Sequence, residues 1–213
     1  MSGALQAVFQ NQRSFGRAIG SAFGGGFFAG QISTAGNGIA DYNLVVGPVA
    51  SADSGKRYKS VNTATTGADS VIDGPQNTAD MVADGNSTTY PAAHFCNDLV
   101  IGGFSDWYMP AKNELEVCYY NLKATTTSNN TSSGINANAV PARASNYTAG
   151  TPAQTSATDF KDTGTEDFAA DGYWSSSEFS DAKAWIQSFD YGYQFNYFKS
   201  LSSHVRAIRR VAV

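Results

Sequence analysis

The chain has 213 residues, enough for one domain with a sizeable core or for a domain plus an arm. Hydrophobic residues make up 42%, with 13 Phe, 11 Tyr and 21 Gly, which excludes general disorder and favours strands and turns over helices. The 14 basic and 18 acidic residues leave a formal net charge of -4, no footprint for nucleic acid or an anionic membrane, and no apolar run is long enough for membrane insertion.

In chain order, residues 2–22 place Leu5, Val8, Phe9, Phe15 and Ile19 among polar neighbours without a helical period. This segment lacks the unbroken apolar core of a signal peptide, so the expectation is synthesis and assembly in a cytoplasm. The glycines at 24–26 read as a hinge or a tight strand entry. Residues 1–23 are then an arm, docked on another molecule or packed on its own domain, and residues 24–213 are the domain. Residues 26–32 and 42–46 read as strands with Asn37-Gly38 turning between them. Residues 50–76 are polar and read as loop, until Asn77 offers a cap for a short helix through Val82. Pro91 opens a helix over 91–100 with Ala92, Phe95, Cys96 and Leu99 at helical spacing, ended by Gly102-Gly103. Residues 104–109 read as a short strand, and Pro110 starts a helix over 111–123 whose Leu115, Cys118, Tyr119 and Leu122 share one face. Residues 124–172 are rich in Thr, Ser, Asn and Ala without apolar period, an elaborated polar surface insertion. One core is expected, with no repeat.

Near the C-terminus, Trp185, Gln187 and Phe189 alternate with Ile186, Ser188 and Asp190, the pattern of a strand with two unlike faces. The first three are expected buried and the interleaved residues exposed. After a turn signal at Asp190-Tyr191-Gly192 come Tyr193, Phe195, Tyr197 and Phe198, interrupted by Gln194 and Asn196. So many rings cannot all face inward on a period-two strand, and Tyr with Ser, Asn and Gly is the mix of adaptable binding loops. An exposed binding surface is the reading.

The frame YWSSSE (173–178), AW-x-Q-x-F (184–189), G-x-Q (192–194), Lys199 and VRAIRRV (205–211), with GGFSDWYMPAKNELE upstream (102–116), resembles the C-type-lectin-like variable proteins of phages and bacteria. The resemblance spans residues 26–213. It implies an α+β, C-type-lectin-like fold related to formylglycine-generating enzymes, with two helices on a small, mostly antiparallel twisted sheet. In that family a diversity-generating retroelement rewrites adenines at the 3′ end of the gene. The resemblance then implies a variable, ligand-binding face at 184–204, made of Ile186, Ser188, Asp190, Tyr191, Tyr193, Phe195, Asn196, Tyr197, Phe198, Ser200, Leu201, Ser202 and Ser203. None of these is Lys, Glu, Gln, Met or Trp, types that rewritten asparagine codons cannot produce. The implied function is receptor binding at a phage tail tip or fibre. Its partners would be a host cell-surface receptor, protein or glycan, and other virion proteins through the arm, in a homotrimer on the virion. The alternative is a structural virion protein, a decoration or tail subunit, with the same fold.

Other chemistry finds little support. His94 and His204 lack partners at metal-ligand spacing, and Asp159, Asp162, Glu166, Asp167 and Asp171 match no EF-hand, reading as a solvated acidic loop. Cys96 and Cys118 are expected reduced and buried, and residues 119–213 hold no cysteine for the pair that formylglycine-generating enzymes use. The Glu-Pro-Asn and Gln-Pro-Asp tripeptides of calcium-dependent lectins are absent. Ser175, Ser176 and Ser177 have no histidine placed to activate them, and Arg206, Arg209 and Arg210 are expected to pair with the domain's own acids. No catalytic residue, metal or cofactor is expected.

Overall fold

The computed structural model describes residues 16–213. Strand β1 (Ala22–Phe23) turns through Gly24 and Gly25, both at positive φ, into β2 (Gly26–Ile32). The glycines are therefore the tight turn of a hairpin, and residues 22–23 of the expected arm belong to the domain's own sheet. Ile19 packs on the core and Arg17 lies over the Phe23 ring at 3.5 Å. The remainder of the arm reading, residues 1–15, lies outside the described residues.

Next come β3 (Tyr42–Val46), a helical turn α1 (Val49–Ala52), β4 (Asp53–Arg57), α2 (Gly74–Asp84), α3 (Pro91–Asn97) and α4 (Lys112–Leu122). The chain then adds β5 (Ala139–Val140), a 3-10 turn at Thr158–Phe160, β6 (Gly172–Ser180), β7 (Lys183–Ser188), β8 (Gln194–Phe198), β9 (Ser202–Arg206) and β10 (Ile208–Ala212). One sheet runs β1-β2-β3-β10 with β5 also on β2; the other runs β4-β9-β6-β7-β8. Every pairing is antiparallel except β6 with β9, so the class is α+β. The sheets join where β3 passes to β4 and β9 to β10. There Gly47 N donates to Ala207 O and Ala207 N to Ala52 O, both at 2.9 Å, so the paired strands bend together.

One core was expected, and the buried residues instead form two clusters on opposite faces of shared strands. Leu44 and Val46 lie in one and Val45 in the other; Tyr173 is split likewise from Trp174, and Ile208 from Val205 and Ala207. Successive strand side chains point to opposite faces, so strands covered on both sides bury both sets. Helix α4 supplies Leu115, Cys118, Tyr119 and Leu122 to the first cluster, while α2 and α3 supply Met81, Ala92, Ala93 and Cys96 to the second. The two cysteines are free and buried, and burial pushes both thiols far up.

Other local expectations change too. Residues 50–76 contain α1 and β4, and β4 pairs with β9 residue by residue from Asp53–Arg206 to Arg57–Ser202. Helix α2 starts at Gly74, capped by Asp73; Asn77 is buried inside it, its Nδ2 donating to Ser70 O at 2.7 Å and Ser176 Oγ at 3.1 Å. A long-range bond pulls Asn77 off the cap role. Residues 104–109 form no strand, only isolated bridges Ile101–Phe104 and Tyr108–Ile208. The insertion 124–172 is no surface loop, since Ala139, Tyr147, Phe160 and Phe168 enter the core. It hides from periodicity because single residues are pinned by side-chain bonds. Buried Lys123 donates to Thr127 O and, at 2.8 Å, to Asn129 Oδ1, while Asn129 Nδ2 donates to Pro152 O at 2.9 Å. No described helix is long and apolar enough to cross a membrane.

Candidate binding site

The β7–β8 hairpin forms the end of the second sheet, with β8 at its edge. Its register pairs Lys183 with Phe198, Ala184 with Tyr197, Trp185 with Asn196, Ile186 with Phe195 and Gln187 with Gln194. Directly opposed residues share a sheet face, so the hairpin has two surfaces. One bears Tyr193, Phe195 and Tyr197; the other bears Asn196, Phe198, Trp185 and Lys183.

The first surface is a row of rings. Tyr193 and Phe195 stack at 5.6 Å and 6°, Phe195 meets Tyr197 edge-on at 6.3 Å, and Tyr197 lies 6.0 Å from the buried Trp174. Tyr193 is 42% exposed and Tyr197 38%, while Phe195 is half-buried against the second core cluster. Phe198, 45% exposed, belongs to the other surface, so the aromatic residues do not line one common face.

The fixed frame sits beneath. Phe189 is fully buried, stacked on Phe168 at 4.0 Å and edge-on to Tyr119 and Tyr173. Gln187 is buried with its Oε1 unpartnered. Lys199 is fully buried, its ammonium 2.9 Å from Glu178 and donating to the carbonyls of Thr63 and Asp181. Trp185 is only half-buried, edge-on to Phe179 at 4.9 Å with the Lys112 ammonium 3.9 Å from its ring centre. Arg206, Arg209 and Arg210 pair with Glu166, Asp106 and Glu114, which accounts for their cationic groups inside the domain.

Of the thirteen interleaved positions, Ile186 is a correction: it is 2% exposed and packs in the second cluster. The face of β7 that bears Ala184 and Ile186 packs into the second cluster, while Lys183 and Trp185 on the other face are half-buried, so the alternation holds with the sides exchanged at Ile186. Ser188, Asp190, Asn196, Ser200 and Ser203 are half-buried, and Tyr191, Leu201 and Ser202 exposed. Ser202 and Ser203 lie on β9, with β6 and β7 between them and β8, so they stand apart from the ring row. Phe179, Lys112 and Lys183 complete the second surface and escaped sequence reading, since α4 and β6 reach Trp185 only in the folded chain.

The serine hydroxyls are engaged structurally, Ser175 Oγ donating to Trp185 O at 3.1 Å and Ser177 Oγ to Ser70 O at 2.7 Å. His204 Nδ1 is 2.9 Å from Asp53, whose other oxygen accepts from Tyr173 OH at 3.0 Å. The bond to Asp53 raises the His204 pKa against the opposing effect of burial. Among the described residues no three His, Cys, Asp or Glu side chains converge as a metal site.

The family model of the Lcl C-terminal domain matches residues 62–209, more than half of the chain and all of the β6–β9 region described here. This is narrower than the span of the sequence resemblance, leaving β1–β4 outside. No curated protein matches the chain. With the frame from Gly102 to Lys199, the β7–β8 hairpin, Arg206 and Arg209 inside the matched stretch, the chain belongs to the Lcl C-terminal domain family.

Proposed function

We propose that this is a variable protein of the phage-tropism type, binding a host-surface receptor through the C-terminal face without catalysis. The observation that carries the reading is the division of labour in one hairpin. Phe189 and Lys199 are fully buried, whereas Tyr193 and Tyr197 are partly exposed to solvent in a row of packed rings. Rings held by packing lose little freedom on binding, which suits them as interface anchors. The C-type-lectin-like identity of the fold, the retroelement and placement on a virion tail are parts of this proposal, as is display as a homotrimer.

Tyr193→Ala and Tyr197→Ala should leave the melting temperature nearly unchanged and reduce attachment of the particle to its host cells. Phe189→Ala should instead destabilise by about 3–5 kcal/mol, the cost of truncating a buried large aromatic. Loss of folding in the tyrosine variants would make the row core and overturn the reading. Normal folding with normal attachment would favour a structural virion subunit.

A further inference from the structure

The outer edge of β8 has features the ring row does not explain. Ser188 N donates to Tyr193 O and Lys199 N to Ala182 O, which places the odd-numbered residues of β8 in its ladder with β7. The N–H and C=O of the even-numbered residues therefore point away from the sheet. Gln194 N is met by Ser133 Oγ at 3.1 Å, and Phe198 O by Leu201 N at 3.0 Å. Among the described residues nothing takes the Asn196 N–H, the Asn196 C=O or the Phe198 N–H.

Beside this open edge lies the second surface of the hairpin. Lys112 sits over Trp185 at 3.9 Å and Lys183 over Phe198 at 4.9 Å. Neither ammonium is within 4.0 Å of a carboxylate among the described residues, and residues 1–15 contain no Asp or Glu. Two unpaired cations on one aromatic face, in a chain of net charge -4, are a local reversal of sign. Phe179, 48% exposed, extends that face.

We propose that the edge of β8 and the Lys112–Lys183 face together dock an extended acidic peptide segment, which adds as a new strand beside β8. A residue opposite Asn196 would exchange both backbone bonds with it, as in an antiparallel hydrogen-bonded pair. Alternate acidic side chains of the segment would reach Lys112 and Lys183, and its stem atoms would cover Phe198 and Trp185. The open backbone groups distinguish a peptide from an anionic glycan, which lacks the repeating donor and acceptor of a strand. The site lies on the opposite face from Tyr193 and Tyr197 and does not rest on the receptor reading.

The probe is a capped octapeptide of alternating Glu and Thr, titrated into the whole chain while backbone amide shifts are followed by NMR. Saturable binding is expected, with shifts centred on the Asn196 and Phe198 amides. The Lys112→Gln/Lys183→Gln double variant should weaken it about tenfold at low salt while melting as the parent does. N-methylation of the alternate residues facing β8 should abolish it, and Tyr193→Ala should leave it unchanged. Absence of saturation at millimolar peptide, equal binding of the N-methylated peptide, or equal binding of a Lys-Thr octapeptide would each overturn the proposal. So would a sulfated oligosaccharide that binds this face in place of the peptide.

Discussion

Glu114 shows how a charge is kept inside this domain. It is fully buried, yet it accepts from Tyr108 OH at 2.6 Å, Ala111 N at 2.8 Å and Arg210 Nε at 2.8 Å. Burial pushes the carboxyl up and the Arg210 guanidinium pulls it down, so the group persists only as part of a satisfied set. His204 on β9 is held by a carboxylate partner. It faces Asp53 from β4, Asp171 at 4.0 Å and the Tyr173 ring, with Arg206 farther along its own strand. Its folded pKa is raised above the unfolded value of about 6.5. The pair therefore contributes fully below that value, and its contribution is lost as pH rises through the folded pKa. Thermal melts across about pH 6 to 8 should show stability declining with pH, and His204→Gln should flatten the slope. An unchanged slope in that variant would assign the pH dependence elsewhere.

At the scale of the element, the β7–β8 hairpin depends on its turn. Gly192 has φ +71, and a Cβ there would meet Tyr119 Cε1 at 2.3 Å, so both conformation and space demand glycine. Tyr119 cannot easily retreat, because its hydroxyl donates to Asn129 Oδ1 at 2.6 Å inside the core. Gly192→Ala should cost more than the roughly 1–2 kcal/mol of a left-handed residue with a side chain. The loss would appear as a melting point lowered by several degrees with the ring row disordered. A variant that melts like the parent would show that the turn can relax away from Tyr119. The second surface and the ring row are opposite faces of this one pair of strands.

At the scale of the molecule, the shared strands unite two clusters into one body. A substitution at Val45 or Trp174 is felt through strands that also carry Leu44 and Tyr173 on their other face. The trimer proposed for display has its natural test in residues 1–15, because removing 1–23 would also delete β1 and its pairing with β2. Light scattering should report a trimer for the full chain and a smaller species for a chain starting at Gly16. A monomer in both cases would argue against the trimer, and a trimer in both against the arm as its contact.

Residues 26–32 and 42–46 were legible because strand patterning and turn residues are local, and both strands match β2 and β3. The apolar face of α4 was legible for the same reason, since Leu115, Cys118, Tyr119 and Leu122 recur at helical spacing whatever they pack against. Pairing of the three arginines with the domain's own acids was legible from their place in a closing strand, where such residues more often meet internal acids than a ligand. What escaped had non-local causes. Strand β4 consists of Asp, Ser, Gly, Lys and Arg and becomes a strand only by pairing with β9. Phe160 and Phe168 reach the core from a loop without period. Ile186 is buried because the second cluster packs on its face of β7, and Lys112 meets Trp185 only once α4 is laid against β7. Sequence by itself determined which residues favour strand, helix or turn, since those preferences act over a few neighbours. Only the tertiary structure decided which face of each strand meets water, since that depends on what packs against it from elsewhere in the chain.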